Sequence, residues 1–393
     1  MKNLLLASVA TLAATTALHA DDIKLGIILG FTGPLESITP AMGAGAEVAM
    51  KEVSDSGKLL DGSTVTPVRG DSTCVDAAAA TAAAERLITS DGVKGIMGAD
   101  CSGVTGAILA NVAVANGIVM VSPSATSPAL TTAEDNGLFF RTAPSDARQG
   151  QVMTDILIDN GVKEVALTYT NNDYGKGLAD AFQSAYEAAG GTVTISASHE
   201  DGKADYSAEV GALASAGGEL LVVAGYIDQG GSGIVRASLD SGAFDKFHFP
   251  DGMIGAKLDN DFGTEIEGST GQLPGTDSPG VEKFAMLVGD TLDITGPYVP
   301  ESYDAAALIM LAMQAAGSAE SADYAGKIMD VANAPGEKIY PGELGKALDI
   351  IRGGGDVDYV GASAVELIGP GESAGTYRMI EVKDGKNETV KFR

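Results

Sequence analysis

Two turns of small residues, each following an apolar run, most constrain how this chain can fold. Within residues 95–128, the first run ends in Asp100-Cys101-Ser102-Gly103, and a second, β-branched run leads into a turn at residues 122–126. Between them apolar residues recur at near-helical spacing, so the stretch predicts strand, turn, helix, strand and turn. Ligands of open parallel sheets bind in the crevice outside the carboxyl ends of the strands. Both turns are expected to open into such a crevice.

The hydroxyl groups and free backbone N–H groups of these two turns suit an anion such as a carboxylate. A simpler interpretation stands beside this one, because serine and threonine after a strand more often cap a helix or form a turn. The presence of two such turns on neighbouring strands favours the ligand site but leaves both interpretations open.

The alternation of strand and helix runs through most of the chain and restarts once. It begins with a strand at residues 23–29 and restarts with a strand at residues 165–170. This order predicts an α/β protein with two doubly wound parallel-sheet lobes, the second inserted in the first, and a ligand held between them. Pro144-Ser145-Asp146 is interpreted as the cap of the helix that enters the second lobe.

We expect a first lobe at 21–142, a second lobe at 143–270, a return to the first lobe at 271–362, and a hinge crossing with a second-lobe hairpin at 363–393. Residues 268–280 are rich in Gly, Pro, Ser and Thr and are interpreted as the linker of the return. Asp384-Gly385 predicts the turn of the final hairpin.

Residues 1–20 have the features of a cleaved secretory signal, with Lys2, an uncharged apolar run, and Ala20 before two aspartates. No later segment approaches about 20 uncharged apolar residues, so the mature protein is expected to be soluble and periplasmic. Removing Lys2 would change the formal charge from −28 to −29. That charge argues against nucleic acid and anionic membrane surfaces as partners.

The chain has two cysteines, Cys74 and Cys101, and in an exported protein such a pair usually forms a disulfide. Two free buried thiols are the alternative. With histidine only at His19, His199 and His248, a zinc site or a Cys/His catalytic site lacks ligands. The G-x-S-x-G elbow is also absent, so we expect neither a cofactor nor enzyme activity.

Several short motifs, in this order and spacing, resemble those of one protein family. They are Gly33-Pro34, Cys74, Cys101 with Ser102, the turn at residues 122–126, Asn172-Asp173-Tyr174-Gly175-Lys176-Gly177, Gly225-Tyr226 and Pro250-Asp251-Gly252. The chain resembles the type I periplasmic solute-binding proteins of ABC importers, specifically the branched-chain amino acid (Leu/Ile/Val) family, over essentially its whole mature length. The resemblance implies the disulfide, a three-crossing hinge between the lobes, and closure about that hinge.

The resemblance also implies roles for residues of the first lobe. Ser102 and Thr126 would donate hydroxyl hydrogen bonds to the carboxylate of the ligand, and the Ser124 backbone would face its α-amino group. Ile38 stands where some members carry a pocket tryptophan. Glu36 is charged where small or amide residues are usual.

In the second lobe, Tyr174 and Tyr226 would close over the ligand, and Asp251 would pair with its α-ammonium. Asp251 is one methylene shorter than the glutamate that is commoner in the family. Alternatively, the tyrosines are ordinary surface residues and Asp251 is a turn residue. The departures at residues 36 and 38, with Asp100 nearby, keep a polar or cationic amino acid, an amide or a carboxylic acid open as ligands.

The partners that the resemblance implies are a small amino acid-like ligand and a membrane-embedded ABC permease, with the protein acting as a monomer. A sensory module that delivers its ligand signal to a membrane receptor is the alternative, because both kinds of protein use the same closed pair of lobes.

Overall fold

The strands of the chain form two seven-stranded sheets and a two-stranded ribbon in a computed structural model that describes residues 20–393. The predicted signal at residues 1–20 lies, apart from Ala20, outside these residues. In chain order the strands are β1 (Asp22–Leu29), β2 (Thr64–Asp71), β3 (Ile96–Gly98), β4 (Met120–Ser122), β5 (Phe139–Arg141), β6 (Glu164–Thr170), β7 (Thr192–His199), β8 (Leu220–Ala224), β9 (Phe247–Phe249), β10 (Thr270–Pro274), β11 (Glu337–Ile339), β12 (Val357–Tyr359), β13 (Leu367–Ile368), β14 (Glu372–Ser373), β15 (Tyr377–Lys383) and β16 (Lys386–Phe392).

The helices pack on the sheets, and most of them connect one parallel strand to the next. In chain order they are α1 (Thr39–Ser56), α2 (Ala77–Arg86), α3 (Ser102–Ile108), α4 (Val114–Asn116), α5 (Asp146–Asp159), α6 (Asp173–Ala188), α7 (Ser207–Ala216), α8 (Gly230–Ser241), α9 (Ala256–Phe262), α10 (Pro279–Val288), α11 (Val299–Ala316), α12 (Ser321–Tyr324), α13 (Ile328–Ala332) and α14 (Leu344–Arg352). Between residues 20 and 393, none of them combines the length and the hydropathy that crossing a bilayer requires.

The first sheet has the strand order β13-β14-β5-β4-β3-β1-β2, and the second has the order β16-β15-β10-β9-β8-β6-β7. Pairing is parallel through β1 to β5 and through β6 to β10, and it becomes antiparallel only at β13–β14, β10–β15 and β15–β16. The prediction of two α/β lobes with mainly parallel sheets is therefore confirmed. Strand β5, the last strand before the first passage between the lobes, is an integral strand of the first sheet and pairs with β4 and β14.

The chain passes between the two sheets three times. The first passage follows β5, the second follows β10, and the third separates β14 from β15 at residues 374–376. Sheet membership also moves two of the expected boundaries. The boundary after residue 270 falls inside β10, and β13 and β14 extend the first sheet beyond residue 362.

The interpretation of residues 268–280 as a linker was wrong for β10, which pairs with β9 on one side and β15 on the other. Its glycine has a packing role. A Cβ on Gly271 would lie 2.4 Å from the carbonyl oxygen of Phe249, so only glycine fits where these two strands meet. The composition that suggested a loop thus reflects the close approach of two backbones.

Helix α11 lies at the centre of the first lobe, and its stretch from residue 305 to residue 313 is apolar on all sides. Residues 305–313 are fully buried, and α11 packs along α1. The two helices meet closely at Gly45, where a Cβ would lie 2.7 Å from the Val299 carbonyl oxygen. This contact fixes the first turn of α11, and with it Tyr298, at the edge of the cleft between the lobes.

Candidate functional site

The two predicted turns lie side by side, because β3 and β4 are paired neighbours in the first sheet. Ser102 begins α3 at the end of the first turn. The Ser122 hydroxyl donates to the Ala99 carbonyl at 2.5 Å and accepts from the Ala125 N–H at 2.9 Å, so it ties the two turns together. The chain thus brings Ser102 and Ser124 to one wall of the cleft.

The hydroxyl of Ser102 keeps a proton free for a ligand. Its oxygen accepts from the Ser127 N–H at 3.0 Å, and it donates to no described residue. The Ser124 hydroxyl instead donates to the Asp100 carbonyl at 3.1 Å. Ser102 can therefore donate to a carboxylate while the backbone of the neighbouring turn holds its oxygen in place.

A buried arginine that the sequence analysis did not identify supports the second turn from behind. Arg141 donates to the carbonyl oxygens of Ala125 and Ser127, both at 2.9 Å, and to Glu372 at 2.5 Å. Its side chain is 1% exposed. In the sequence, the only indication of this role is a single arginine at the end of an apolar strand. The role itself depends on Glu372, which is distant in the sequence.

Asp100, expected as an additional carboxylate near the ligand, lines the cleft but is hydrogen-bonded within the first lobe. Its carboxylate accepts from the Gly30 N–H at 3.0 Å and from the Ser72 hydroxyl at 3.1 Å. Burial raises the pKa of this carboxyl. Asp100 thus joins the ends of β1, β2 and β3.

Cys74 and Cys101 are bonded to each other, with Cα atoms 5.2 Å apart, which confirms the predicted disulfide. The bond links the turn after β2 to the residue before Ser102. Together with Asp100 the two sulfur atoms form a cluster within 4.8 Å. Since both sulfurs are used in the disulfide, this cluster offers no thiolate to a metal ion.

The opposite wall of the cleft consists of tyrosines around Asp251. The rings of Tyr174 and Tyr226 are stacked with centroids 5.2 Å apart. The Asp251 carboxylate accepts from the Tyr174 hydroxyl at 2.6 Å, from the Gly252 N–H at 2.7 Å and from the Tyr298 hydroxyl. Burial raises the pKa of Asp251, and the two tyrosine hydroxyls oppose that shift.

Gly252 allows this arrangement because no side chain fits at its position. A Cβ there would lie 2.6 Å from the Gly225 carbonyl oxygen and 2.9 Å from the Tyr174 hydroxyl. The motif Pro250-Asp251-Gly252 therefore has a steric basis, since the glycine lets Tyr174 reach the carboxylate beside it.

Tyr298 completes this wall and was not predicted. It precedes α11 in the left-handed region, with φ of 60°, and its buried hydroxyl bonds to Asp251 across the second passage between the lobes. The only local signal was the turn composition of Gly296-Pro297 before it. The contact depends on the arrangement of the two lobes, which no local pattern encodes.

A second buried carboxylate, Asp146, lies close to Asp251. It begins α5, and neither of its oxygens has a hydrogen-bond partner within residues 20–393. Burial raises the pKa of Asp146 well above its ordinary range, and the carboxylate of Asp251 raises it further. Two neighbouring buried carboxylates, one of them unpaired, form a site that attracts a cation.

Asp146 and Asp251 form an acidic corner of the cleft. Thr126 lies in this acidic corner rather than beside the central space of the cleft. It is buried near Asp146 and partly opposes the rise of that pKa, although its hydroxyl meets no partner in ordinary hydrogen-bond geometry. The side-chain amide of Gln149 and the hydroxyl of Tyr377 are also buried without partners in the described part of the chain. This corner therefore holds several polar atoms that a polar ligand group could satisfy.

The structure places two predicted residues away from the centre of the cleft. Glu36 is exposed at the surface, and Ile38 is buried at the start of α1, where it approaches Gly255 of the other lobe. Leu35, between Gly33-Pro34 and Glu36, lines the cleft instead. The charged side chain of Glu36 thus does not contribute to the inner wall.

The lobes are closed on one another. The Ser37 N–H donates to the Asp228 carboxylate at 2.8 Å, and the Asp228 N–H donates to the Pro34 carbonyl at 3.2 Å. The free space at the centre of the cleft is about 20 Å³, which is room for about one water molecule. A larger solute can therefore reach these residues only when the lobes separate.

Two α/β lobes that enclose hydroxyl donors on one wall and carboxylates with aromatic rings on the other define a solute-binding protein that closes over its ligand. A family model described as "Periplasmic binding protein" matches residues 22–336, and the chain belongs to that family. The resemblance seen in the sequence is thereby confirmed. Membership of a binding-protein family also confirms the expectation that the chain is not an enzyme.

Individual relatives agree with this assignment. The chain is 35% identical over 225 residues to "Leu/Ile/Val-binding protein homolog 3" of Brucella melitensis, a match that covers 56% of this chain and 59% of that protein. It is 31% identical over 303 residues to "Leu/Ile/Val-binding protein homolog 1" of the same organism, covering 76% and 79%. The fold is similar to a crystal structure of a leucine binding protein from Thermotoga maritima, with a TM-score of 0.78, 22% identity, and coverage of 94% and 98%.

Proposed function

We propose that this chain is the extracytoplasmic solute-binding component of an ABC importer and that it captures an amino acid with an apolar side chain. The unpaired carboxylate of Asp146 beside Asp251 is the observation that carries the choice of an amino acid. A ligand that brings an ammonium group would pair with these buried acidic groups, whereas a plain carboxylic acid would bring a further negative charge next to them with nothing to compensate it.

The carboxylate end of such a ligand would face the first lobe. Ser102 has a free hydroxyl proton, and the turn at residues 122–126 is held rigidly by Ser122 and Arg141. Hydrogen bonds to a charged group are about twice as strong as those between neutral groups. Donors fixed in advance lose little conformational entropy on binding.

The ammonium end would lie between Asp146 and Asp251. Asp251 already accepts three hydrogen bonds, which leaves about one of its roughly four acceptor positions. Asp146 has all of its acceptor capacity free. An ammonium group has three donors, so it can satisfy both carboxylates and the Thr126 hydroxyl together.

Leu35, Tyr174 and Tyr226 supply the apolar surface that remains for the ligand side chain. Glu36 lies at the surface, and the Asp100 carboxylate is already hydrogen-bonded to Gly30 and Ser72, so neither group is free to pair with a cationic side chain. These features favour an aliphatic amino acid of the kind named for the Brucella relatives.

The proposal includes location and partners. The family implies a place outside the cytoplasm, and the predicted signal at residues 1–20 would direct the chain to the periplasm. There it would act as a monomer and deliver its ligand to a membrane permease of the ABC type.

Calorimetry with three matched probes tests the proposal. Leucine carries both charged groups, 4-methylpentanoate lacks the ammonium, and 3-methylbutylamine lacks the carboxylate. We expect leucine to bind at least 100-fold more tightly than either analogue, and mass spectrometry of the natively purified protein should detect an aliphatic amino acid. Equal binding of leucine and 4-methylpentanoate would refute the amino-acid assignment and favour a carboxylic acid.

A further inference from the structure

A second cavity lies behind the hinge and shares no lining residue with the cleft. Its volume is about 270 Å³. One side consists of the end of β10 with β15 and β16 of the second sheet, and the other consists of α10, the start of α11 and residues 362–363 of the first lobe. The cavity therefore spans the two lobes at the place where the chain passes between them.

Most of its wall is apolar. Leu273, Val281 and Ile294 line it, and Phe392 stands at the side with 36% of its surface exposed. A dry cavity of about 150 Å³ lined by such residues is large enough to hold benzene. The space behind the hinge therefore accommodates an aromatic ring with a short chain attached.

Glu301 brings a polar group into this apolar space. It lies in the first turn of α11, is 2% exposed, and its carboxyl has no side-chain hydrogen bond or ion pair with other described residues. Burial raises the pKa of Glu301 to about 8. At neutral pH the group is therefore mainly protonated, and it can donate a hydrogen bond.

Arg378 of β15 lines the same cavity and is half-buried. It donates to the Thr295 carbonyl at 2.9 Å and makes no ion pair with a carboxylate of residues 20–393. Its remaining side-chain N–H groups meet no acceptor in the described part of the chain. Among the residues that line the cavity, a protonated Glu301 leaves Arg378 as the charged group, in a chain of formal charge −28, and Asp293 outside the lining is the further acidic group that acts on the guanidinium.

We propose that this cavity binds a small apolar monocarboxylate, whose carboxylate pairs with Arg378 and accepts a hydrogen bond from Glu301. The hydrocarbon part lies against Leu273, Val281 and Phe392. The guanidinium of arginine matches the planar geometry of a carboxylate. This site is separate from the amino-acid cleft and does not depend on the function proposed for it.

Occupancy of this site is coupled to the arrangement of the lobes. Arg378 and Glu301 belong to different lobes, so a ligand that contacts both binds one lobe arrangement better than another. A ligand shifts such an equilibrium by its differential affinity. Any effect of this ligand on binding in the cleft is matched by an equal effect of the cleft ligand on it.

The test uses 4-phenylbutyrate and its uncharged counterpart 4-phenylbutanamide, titrated into the full mature protein by calorimetry. We expect the acid to bind at least 10-fold more tightly than the amide. Arg378→Met should weaken the acid at least 10-fold, and Val281→Trp should abolish its binding by filling the space. Glu301→Gln should keep affinity within about threefold, because the amide still donates a hydrogen bond.

Lys391→Met is the matched control, because it removes an exposed cation from the neighbouring β16 and should leave binding unchanged. Ser102→Ala, which alters only the cleft, should likewise not affect 4-phenylbutyrate. Equal affinity for acid and amide, or insensitivity to Arg378→Met and Val281→Trp, overturns the proposal. Sensitivity to Ser102→Ala alone would place the probe in the cleft and also overturn it. Failure of leucine to bind would refute the cleft assignment without changing these results.

Discussion

The Tyr298 hydroxyl, at the start of the return to the first lobe, donates a hydrogen bond to the carboxylate of Asp251, which belongs to the second lobe. In the closed arrangement this tyrosine occupies one acceptor position of the carboxylate, and Tyr174 occupies another. In the closed arrangement both lobes therefore hold the Asp251 carboxylate, and its remaining acceptor capacity is available to one more donor.

Replacing Asp251 by asparagine should weaken leucine binding by about 2–5 kcal/mol, the range for removing one partner of a buried charge pair. Asparagine keeps the shape of the side chain but removes the charge that would meet the ammonium. Binding of 4-methylpentanoate, which has no ammonium, should not weaken. Calorimetry measures both, with Asp245→Asn at an exposed site as the control. Unchanged leucine binding in Asp251→Asn would contradict the assigned role.

The contact between Ser37 and Asp228 joins the two lobes at the outer edge of the cleft. Asp228→Ala should weaken leucine binding by about 1 kcal/mol, a typical net value for one hydrogen bond. Because the contact forms only after closure, the change should appear mainly as faster dissociation in stopped-flow measurements. Asp245→Ala is the control. A slower association rate with unchanged dissociation would contradict a role in holding the lobes closed.

Closure itself should be visible in solution. Since about 20 Å³ is free in the closed cleft, the unliganded protein must open to admit a solute. Small-angle scattering should show a smaller radius of gyration when leucine saturates the protein. Tight binding with an unchanged radius would argue against this mechanism.

The disulfide between Cys74 and Cys101 closes a loop with a sequence separation of 27. Alkylation of the denatured, unreduced protein should therefore label no thiol. Replacing both cysteines by serine should lower the free energy of unfolding by about 3.5 kcal/mol in the chain-entropy model. Urea titration measures the change. Labelling of two thiols in the unreduced protein would contradict the pairing.

The pair formed by Arg141 and Glu372 is buried, with side-chain exposures of 1% and 15%. Arg141→Met should destabilise the protein by about 3–5 kcal/mol, because it leaves the carboxylate without its partner and frees the carbonyls of Ala125 and Ser127. Adding Glu372→Gln should recover part of that loss. A double variant no more stable than the single one would show that the ion pair itself contributes little.

The titration of Glu301 should make the free energy of unfolding depend on pH. Its pKa rises from an ordinary value of 4.5 to about 8 on folding. Between these values the unfolded chain has released a proton that the folded chain retains, so the wild-type protein loses stability as pH rises. Glutamine does not titrate, so the Glu301→Gln variant does not lose stability in this way. Its free energy of unfolding relative to that of the wild-type protein should therefore increase between pH 4.5 and 8, by up to about 5 kcal/mol. Urea titrations across that range measure it, and a constant difference would contradict the buried protonated state.

Most of the fold was accessible from the sequence because strand and helix periodicities are local. The turns that carry Ser102 and Ser124 were found for the same reason, since their position follows from where two strands end. Strand β10 was not predicted, because its glycine suggested a loop. In the structure Gly271 is instead required by the close approach of the neighbouring backbone. Distinguishing the two requires knowing which strand lies beside it.

The acidic corner was not predicted from the sequence, for a different reason. Ser145 caps α5 by accepting from the Ala147 N–H at 3.3 Å, so the interpretation of Pro144-Ser145-Asp146 as a helix cap was correct. That interpretation gave no role to the Asp146 side chain. The role of Asp146 arises from its neighbour Asp251, more than a hundred residues away. Tyr298 and Arg141 likewise acquire their roles from partners that only the assembled lobes bring near.

Arg141 has a consequence for how related proteins could acquire new ligands. It braces the second turn through backbone carbonyls, whose chemistry is independent of the side chains at Ala125 and Ser127. The wall that we propose faces the ligand carboxylate therefore keeps its shape when side chains of the opposite wall are exchanged. Exchanges at Tyr174 or Tyr226 of the second lobe would alter the preferred side chain of the solute while the first-lobe donors proposed for its carboxylate stay in place, so selectivity can diversify in one lobe at a time.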